Sequence, residues 1–138
     1  MIKINSSFPV FIVKSTTDAK AFYTDNFDFQ VVFENEWYLH LVSGSGVQVG
    51  FMLPNQPTQP QIFHESHNGS GVIFSVETND AESAYFEAKE RDLDLVLSLR
   101  SEDWGQRHFV VKDPNGVYLD IVQVIEPKEE YQSGYETE

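Results

Sequence analysis

The sequence predicts an α+β fold of two tandem β-α-β-β-β modules whose strands form a curved mixed sheet. Three observations predict it. Residues 13–23, Val-Lys-Ser-Thr-Thr-Asp-Ala-Lys-Ala-Phe-Tyr, return as residues 76–86, Val-Glu-Thr-Asn-Asp-Ala-Glu-Ser-Ala-Tyr-Phe, at an offset of 63 at the strand and 62 at the helix start. Gly46-Val47 and Gly116-Val117 open two further apolar runs at an offset of 70. Third, residues 104–123 read as a hairpin. Runs rich in β-branched and aromatic residues flank Asp113-Pro114-Asn115-Gly116, where proline presets φ and glycine supplies the left-handed position.

In chain order, residues 8–14 read as a strand and 18–27 as a helix, whose Ala19, Phe22, Tyr23 and Phe27 fall on one face. Residues 29–37, 38–43 and 47–53 read as three strands separated by polar or Gly-Ser turns. The second copy begins with a strand at 71–77. A helix follows Asn79, with Glu82 as its capping-box partner and Ala81, Ala84, Tyr85 and Ala88 as its buried stripe. Strands at 95–99, 107–112 and 117–124 complete it. The growing offset puts about seven extra residues in the second copy, around Leu97 to Gly105. The expected organisation is one domain over residues 1–126: module one at about 6–54, a Pro- and Gln-rich linker at 55–69, module two at about 70–126. An acidic, mobile tail is expected at 127–138.

Composition narrows the function. A 41% hydrophobic chain is globular, and no cysteine is present to form disulfides, thiolate metal sites or cysteine nucleophiles. The net charge of −13 disfavours nucleic acid and anionic membranes as partners. Four glutamates against one lysine after Pro127 account for −3 of it, and the remainder can steer a cationic ligand. With no leader and no apolar run long enough to span a bilayer, a soluble cytoplasmic protein is expected. No Gly-rich phosphate loop, Gly-x-Ser-x-Gly elbow or Ser/His/Asp arrangement stands out.

The tandem repeat, with Ala-Phe-Tyr in its first helix and Asp-Pro-x-Gly before its last strand, resembles the vicinal oxygen chelate superfamily, the glyoxalase, bleomycin-resistance and extradiol-dioxygenase group. That resemblance implies the glyoxalase/bleomycin-resistance fold. In metal-dependent members each copy supplies one ligand at the start of its first strand and one within its last. The matching positions here are Phe8, Gly50, Gly71 and Asp120, a set with one carboxylate and no other donor. Trp104-Gly105-Gln106-Arg107 before Phe109 is similar to the bleomycin-resistance branch. This implies a metal-free, cofactor-free homodimer that sequesters a cationic or aromatic compound, as in antibiotic resistance, and does no chemistry on it.

The candidate ligand-binding residues are Trp37, Tyr38, Phe51, Trp104, Arg107, Tyr118 and Asp120. Trp104 offers a flat face to a planar or cationic ligand, and Phe33 and Phe51 are candidates to join Trp37 and Tyr38 on one side of the sheet. Alternation puts Tyr118, Asp120 and Val122 on one face and Leu119 and Ile121 on the other. Asp120 would pair with a ligand amine or accept a hydrogen bond from Arg107. Two alternatives remain open: a metal-dependent lyase, isomerase or dioxygenase with shifted ligands His40, His108 and Asp120, and metal-free acid–base chemistry. His64-x-x-His67 lies in the connector and is a weak metal candidate.

Overall fold

The computed structural model describes residues 1–135. The chain divides into two units, residues 1–70 with 114–116 and residues 71–113 with 117 onward, each built on one four-stranded mixed sheet.

The first unit runs β1 (Val10–Ile12), α1 (Thr16–Asn26), β2 (Phe29–Glu34), β3 (Tyr38–Ser43) and β4 (Gln48–Met52). Its sheet order is β1-β4-β3-β2, with β1 parallel to β4 and the other pairs antiparallel. α1 starts two residues before the expected Asp18, because the Ser15 hydroxyl caps it by accepting the Asp18 N–H at 3.0 Å. Of the expected stripe, Ala19, Phe22 and Tyr23 are buried. They cover the face of the sheet carrying Leu39, Leu41, Val49 and Phe51, all at most 1% exposed. The Tyr23 ring meets Phe51 at 5.0 Å and Phe29 at 5.8 Å. Each such buried ring contributes about 2–3 kcal/mol of hydrophobic stabilisation.

The second unit repeats the order as β5 (Phe74–Glu77), α2 (Ala81–Glu90), β6 (Asp94–Glu102), β7 (Gln106–Lys112) and β8 (Tyr118–Val124), arranged β5-β8-β7-β6. α2 is capped by Asp80, whose carboxylate accepts the Ser83 N–H at 3.1 Å and the Ser83 hydroxyl at 2.8 Å. The helix therefore starts one residue beyond the expected Asn79–Glu82 box. A carboxylate in that place also complements the helix dipole. β6 has nine residues where β2 has six, and its pairing with β7 shifts register between Leu95 and Leu97 and again between Leu97 and Arg100. Three of the extra residues of the second copy lie in this lengthened strand; the turn after it has three residues in both copies, and β7 and the turn that follows it are each one residue longer than their counterparts.

The β7–β8 turn is built as its residues dictate. Gly116 sits at φ +85°, and the buried Asp113 carboxylate accepts the Val117 N–H at 2.8 Å. At the turn's tip, the Asn115 side chain accepts the Ser15 N–H at 3.0 Å and donates to the Ser15 carbonyl at 2.9 Å, tying residues 114–116 into the first unit. Asn115→Ala leaves both Ser15 groups without these partners. It is expected to cost about 1–2 kcal/mol, read from the shift in urea midpoint.

The connector holds a single 3₁₀ turn at Gln61–Phe63, and its His67 N–H donates to the Ile12 carbonyl at 2.7 Å. His64 and His67 do not share a helix: the His64 ring bonds the Gln59 carbonyl, while the His67 ring packs edge-on against Phe11. The acidic tail carries some local structure before Tyr135. Glu129–Gln132 forms one helical turn, Lys128 pairs with Asp103 at 3.2 Å, and the Tyr135 hydroxyl donates to the Trp104 carbonyl. The last part of the expected tail, residues 136–138, lies outside the described residues. Among the described residues no helix is long and apolar enough to cross a membrane.

Candidate functional site

In the second unit, Phe109, Val111, Leu119 and Ile121 share the face that packs on α2, where Tyr85 meets Phe109 at 5.3 Å. The opposite face carries His108, Val110, Tyr118, Asp120 and Val122, the alternation expected for β8. Here the His108 Nδ1 lies 2.7 Å from Asp120 Oδ1, and its Nε2 lies 2.7 Å from Glu102 Oε2. Ionised carboxylates only accept, so both ring nitrogens donate and His108 is an imidazolium held between two acids. Arg100 donates from Nε to the same Glu102 oxygen at 2.7 Å, which leaves two positive and two negative groups in the cluster.

Burial is the largest single influence on His108 and works to lower its pKa. The hydrogen bonds from Glu102 and Asp120, with their charges, outweigh it and raise the pKa above the ordinary 6.5. Glu102 is held below its ordinary 4.5, first by the hydrogen bond from His108 and then by Arg100.

Arg107 does not reach Asp120. Paired with Gln123 in register, it lies on the α2 side of the sheet, and its Nη1 donates to Ser101 at 3.1 Å. The expected Arg107–Asp120 bond is replaced by the His108–Asp120 bond, since the pleat puts adjacent residues 107 and 108 on opposite faces. Trp104 sits in the β6–β7 turn, 41% exposed, its indole N–H donating to Gln106 at 3.1 Å. Tyr118 is half-buried under the Lys112 ammonium, 5.8 Å from the ring centre.

In the first unit the face away from α1 carries a row of residues in register: Phe33, His40, Gly50 and Val10. Tyr38 stands beside it. Its hydroxyl donates to His40 Nδ1 at 2.8 Å, and His40 Nε2 donates to Gln48 Oε1 at 2.8 Å. The Phe8 ring packs edge-on against His40 at 4.7 Å. Trp37 and Phe33 flank the Tyr38 ring, with centres 6.1 and 6.3 Å away. Gly50 makes this possible, because a Cβ there would collide with the Tyr38 hydroxyl and come within 3.1 Å of Val10 Cγ2. Phe51, by contrast, is fully buried on the α1 side, stacked on Phe11 at 6.0 Å. Trp37, Tyr38 and Phe33 therefore come together, and Phe51 does not join them.

These arrangements bear on metal binding. Phe8 and Gly50 carry no donor, and the Tyr38 hydroxyl fills the space at Gly50. Gly71 sits at φ +81°, a backbone conformation a histidine would adopt only with strain, and Asp120 is already bound to His108. The residues at these four positions do not fit a divalent ion. Of the shifted candidates, His40 is hydrogen-bonded through both ring nitrogens within the first unit, and His108 through both within the second. Among the described residues no group of three or more His, Asp or Glu side chains is arranged to hold a metal.

Sequence reasoning missed Glu102, Gln48 and Ser101. The signal for Glu102 was the excess length of the second copy, three residues of which extend β6 to the residue that meets His108.

The family model described as Glyoxalase/Bleomycin resistance protein/Dioxygenase superfamily matches residues 7–121. A solved member of that superfamily from Sphaerobacter thermophilus is 25% identical, with a TM-score of 0.70 over 87% of this chain and 98% of that one. A glyoxalase/bleomycin resistance protein/dioxygenase from Nocardioides is 15% identical, with a TM-score of 0.74 over 91% of this chain and 87% of that one. A bleomycin-binding protein solved with bleomycin is 18% identical, with a TM-score of 0.64 over 87% and 98%. No curated protein matches the chain in sequence.

Proposed function

The chain belongs to the glyoxalase/bleomycin resistance protein/dioxygenase superfamily, and on that premise we propose that it is a metal-free protein that binds and sequesters a small cationic or aromatic molecule. The observation that carries this reading is the state of the family's ligand positions. Three of the four have no donor, and the fourth, Asp120, is neutralised by His108 within a charge-balanced cluster. Without a Lewis acid or a free general base, binding rests on apolar burial and ring contact, for which the first unit offers the half-buried Trp37 and Tyr38, and the second unit, by itself, Tyr118 and the exposed Trp104. The net charge of −13 favours a cation. Two copies pair, and the protein works in the cytoplasm against an antibiotic-like compound, as the superfamily's drug-binding branch suggests.

The test is elemental analysis after dialysis against Mn²⁺, Fe²⁺, Ni²⁺ and Zn²⁺, followed by thermal shift with each ion and with a panel of cationic aromatic compounds. The expected result is no retained stoichiometric metal and no metal-dependent rise in Tm. At least one organic compound should stabilise by about 2.7 kcal/mol at a hundredfold excess over its Kd. Stoichiometric metal with a large rise in Tm overturns the reading.

A further inference from the structure

With a neutral His40 ring, the Tyr38–His40–Gln48 chain has one polarity. Gln48 presents its carbonyl oxygen to His40 Nε2, so that nitrogen carries the proton and Nδ1 is left as the acceptor of the Tyr38 hydroxyl proton. The hydroxyl has only one proton, already given to His40. Toward anything arriving from solvent the Tyr38 oxygen therefore offers lone pairs alone. Burial pushes the Tyr38 phenol above its ordinary pKa, so the hydroxyl keeps its proton at neutral pH. A ligand group meeting that oxygen must itself bring an N–H or O–H.

The surroundings narrow the choice. Phe33 is 53% exposed and Trp37 is half-buried, so two rings offer accessible faces or edges beside the half-buried Tyr38 ring, with centres 6.3 and 6.1 Å from its own. Glu34 and Glu36 stand on either side of Asn35 in the segment joining Phe33 to Trp37, with Glu34 paired to Lys20 at 2.9 Å. Aromatic faces attract cations, and the chain as a whole is strongly acidic. An alcohol satisfies the oxygen but gains nothing from the rings, a quaternary ammonium gains from the rings but has no proton to give, and a protonated amine does both.

We propose that the Phe33–Trp37–Tyr38 face of the first unit binds a primary or secondary ammonium group carried on an apolar body, with the Tyr38 oxygen as hydrogen-bond acceptor and the neighbouring rings as its cation–π walls. The site rests on the reading above that the chain binds a cationic organic molecule, and it names where the cation goes. Gly50 is its specificity-determining residue. Any side chain there displaces the Tyr38 hydroxyl and breaks its bond to His40.

The test compares three probes of one shape: benzylammonium, benzyltrimethylammonium and benzyl alcohol. Each is titrated at pH 7 into the intact chain, with the Trp37 indole N–H followed by NMR. Benzylammonium is expected to shift that resonance and to bind more tightly than either of the others. Tyr38→Phe should weaken benzylammonium about tenfold and leave benzyltrimethylammonium unchanged. Gly50→Ala, checked for folding by circular dichroism, should match Tyr38→Phe. The proposal is overturned if wild type and Tyr38→Phe bind benzylammonium equally, if the quaternary probe binds as tightly as the amine, or if no probe moves the Trp37 signal. The first of these outcomes, with panel compounds still stabilising the chain, removes this site and leaves the sequestration reading standing. A blank panel removes both.

Discussion

Phe51→Ala is expected to lower the stability of the chain by about 3–5 kcal/mol, seen as a fall in urea midpoint at an unchanged slope. The ring is 0% exposed and lies between Phe11 and Tyr23, with centres 6.0 and 5.0 Å away. Removing it deletes its burial energy and opens a cavity among side chains that are themselves packed on both sides. Tyr23 cannot collapse inward without breaking its contact with Phe29 at 5.8 Å. A residue that lined a binding surface would behave otherwise, losing ligand affinity at little cost to folding. Tyr38→Phe removes a single hydroxyl from a half-buried ring and serves as that contrast. A Phe51→Ala protein that melts like wild type would mean that the first unit's core is not organised around this ring.

His108→Ala is expected to cost about 3 kcal/mol at pH 7 and to change the shape of the stability profile with pH. Removing the imidazolium leaves Asp120, 9% exposed, without the proton donor that compensates its burial, and leaves Glu102 facing it. The pH signature follows from the direction of each shift. The folded pKa of His108 is raised, so its contribution is complete below pH 6.5 and is lost as pH rises through the raised value. The folded pKa of Glu102 is lowered, so its contribution is present above 4.5 and is lost as pH falls through the lowered value. Wild-type Tm should therefore decline on the alkaline side of pH 6.5, and His108→Ala should lack that decline. Replacing both partners, as in His108→Leu with Asp120→Leu, should recover much of the loss, because no buried charge then stands alone. An alkaline decline that survives in His108→Ala would assign it to another group.

Much of this could be read from the residues. The repeat located both modules, and strict alternation along β8 placed Tyr118 and Asp120 together, because an unbulged strand has a period of two. The side of Arg107 depends on the turn: four residues between the strands would put it on the Asp120 face, and the five observed, 113–117, pair it with Gln123 on the other. Along β4 the same period of two separates Phe51 from Gly50. Assigning Phe51 to a site by residue type alone overrode a pattern already present, whereas Arg107 was misplaced by one residue in the length of the turn. Glu102 is a different case. Two register shifts in β6 interrupt the period before it arrives, so no counting along the strand assigns its face. The Tyr38–His40 bond was hidden for another reason. It depends on what Gly50 lacks, and an absent side chain announces its consequence only when its neighbours have coordinates.

The Asn115 clasp on Ser15 spans 100 residues of sequence. During synthesis the first sheet's strands emerge early, yet the group that receives the Ser15 N–H and donates to its carbonyl is made only after β5, α2, β6 and β7. A chain folding from its N-terminus must therefore wait for the far hairpin before its first helix is sealed, and closing so long a loop is among the slower events available to a small protein. A fragment ending in the connector would carry every strand of the first unit and still be incomplete. The first unit thus gains its full set of hydrogen bonds only once most of the second copy has been made.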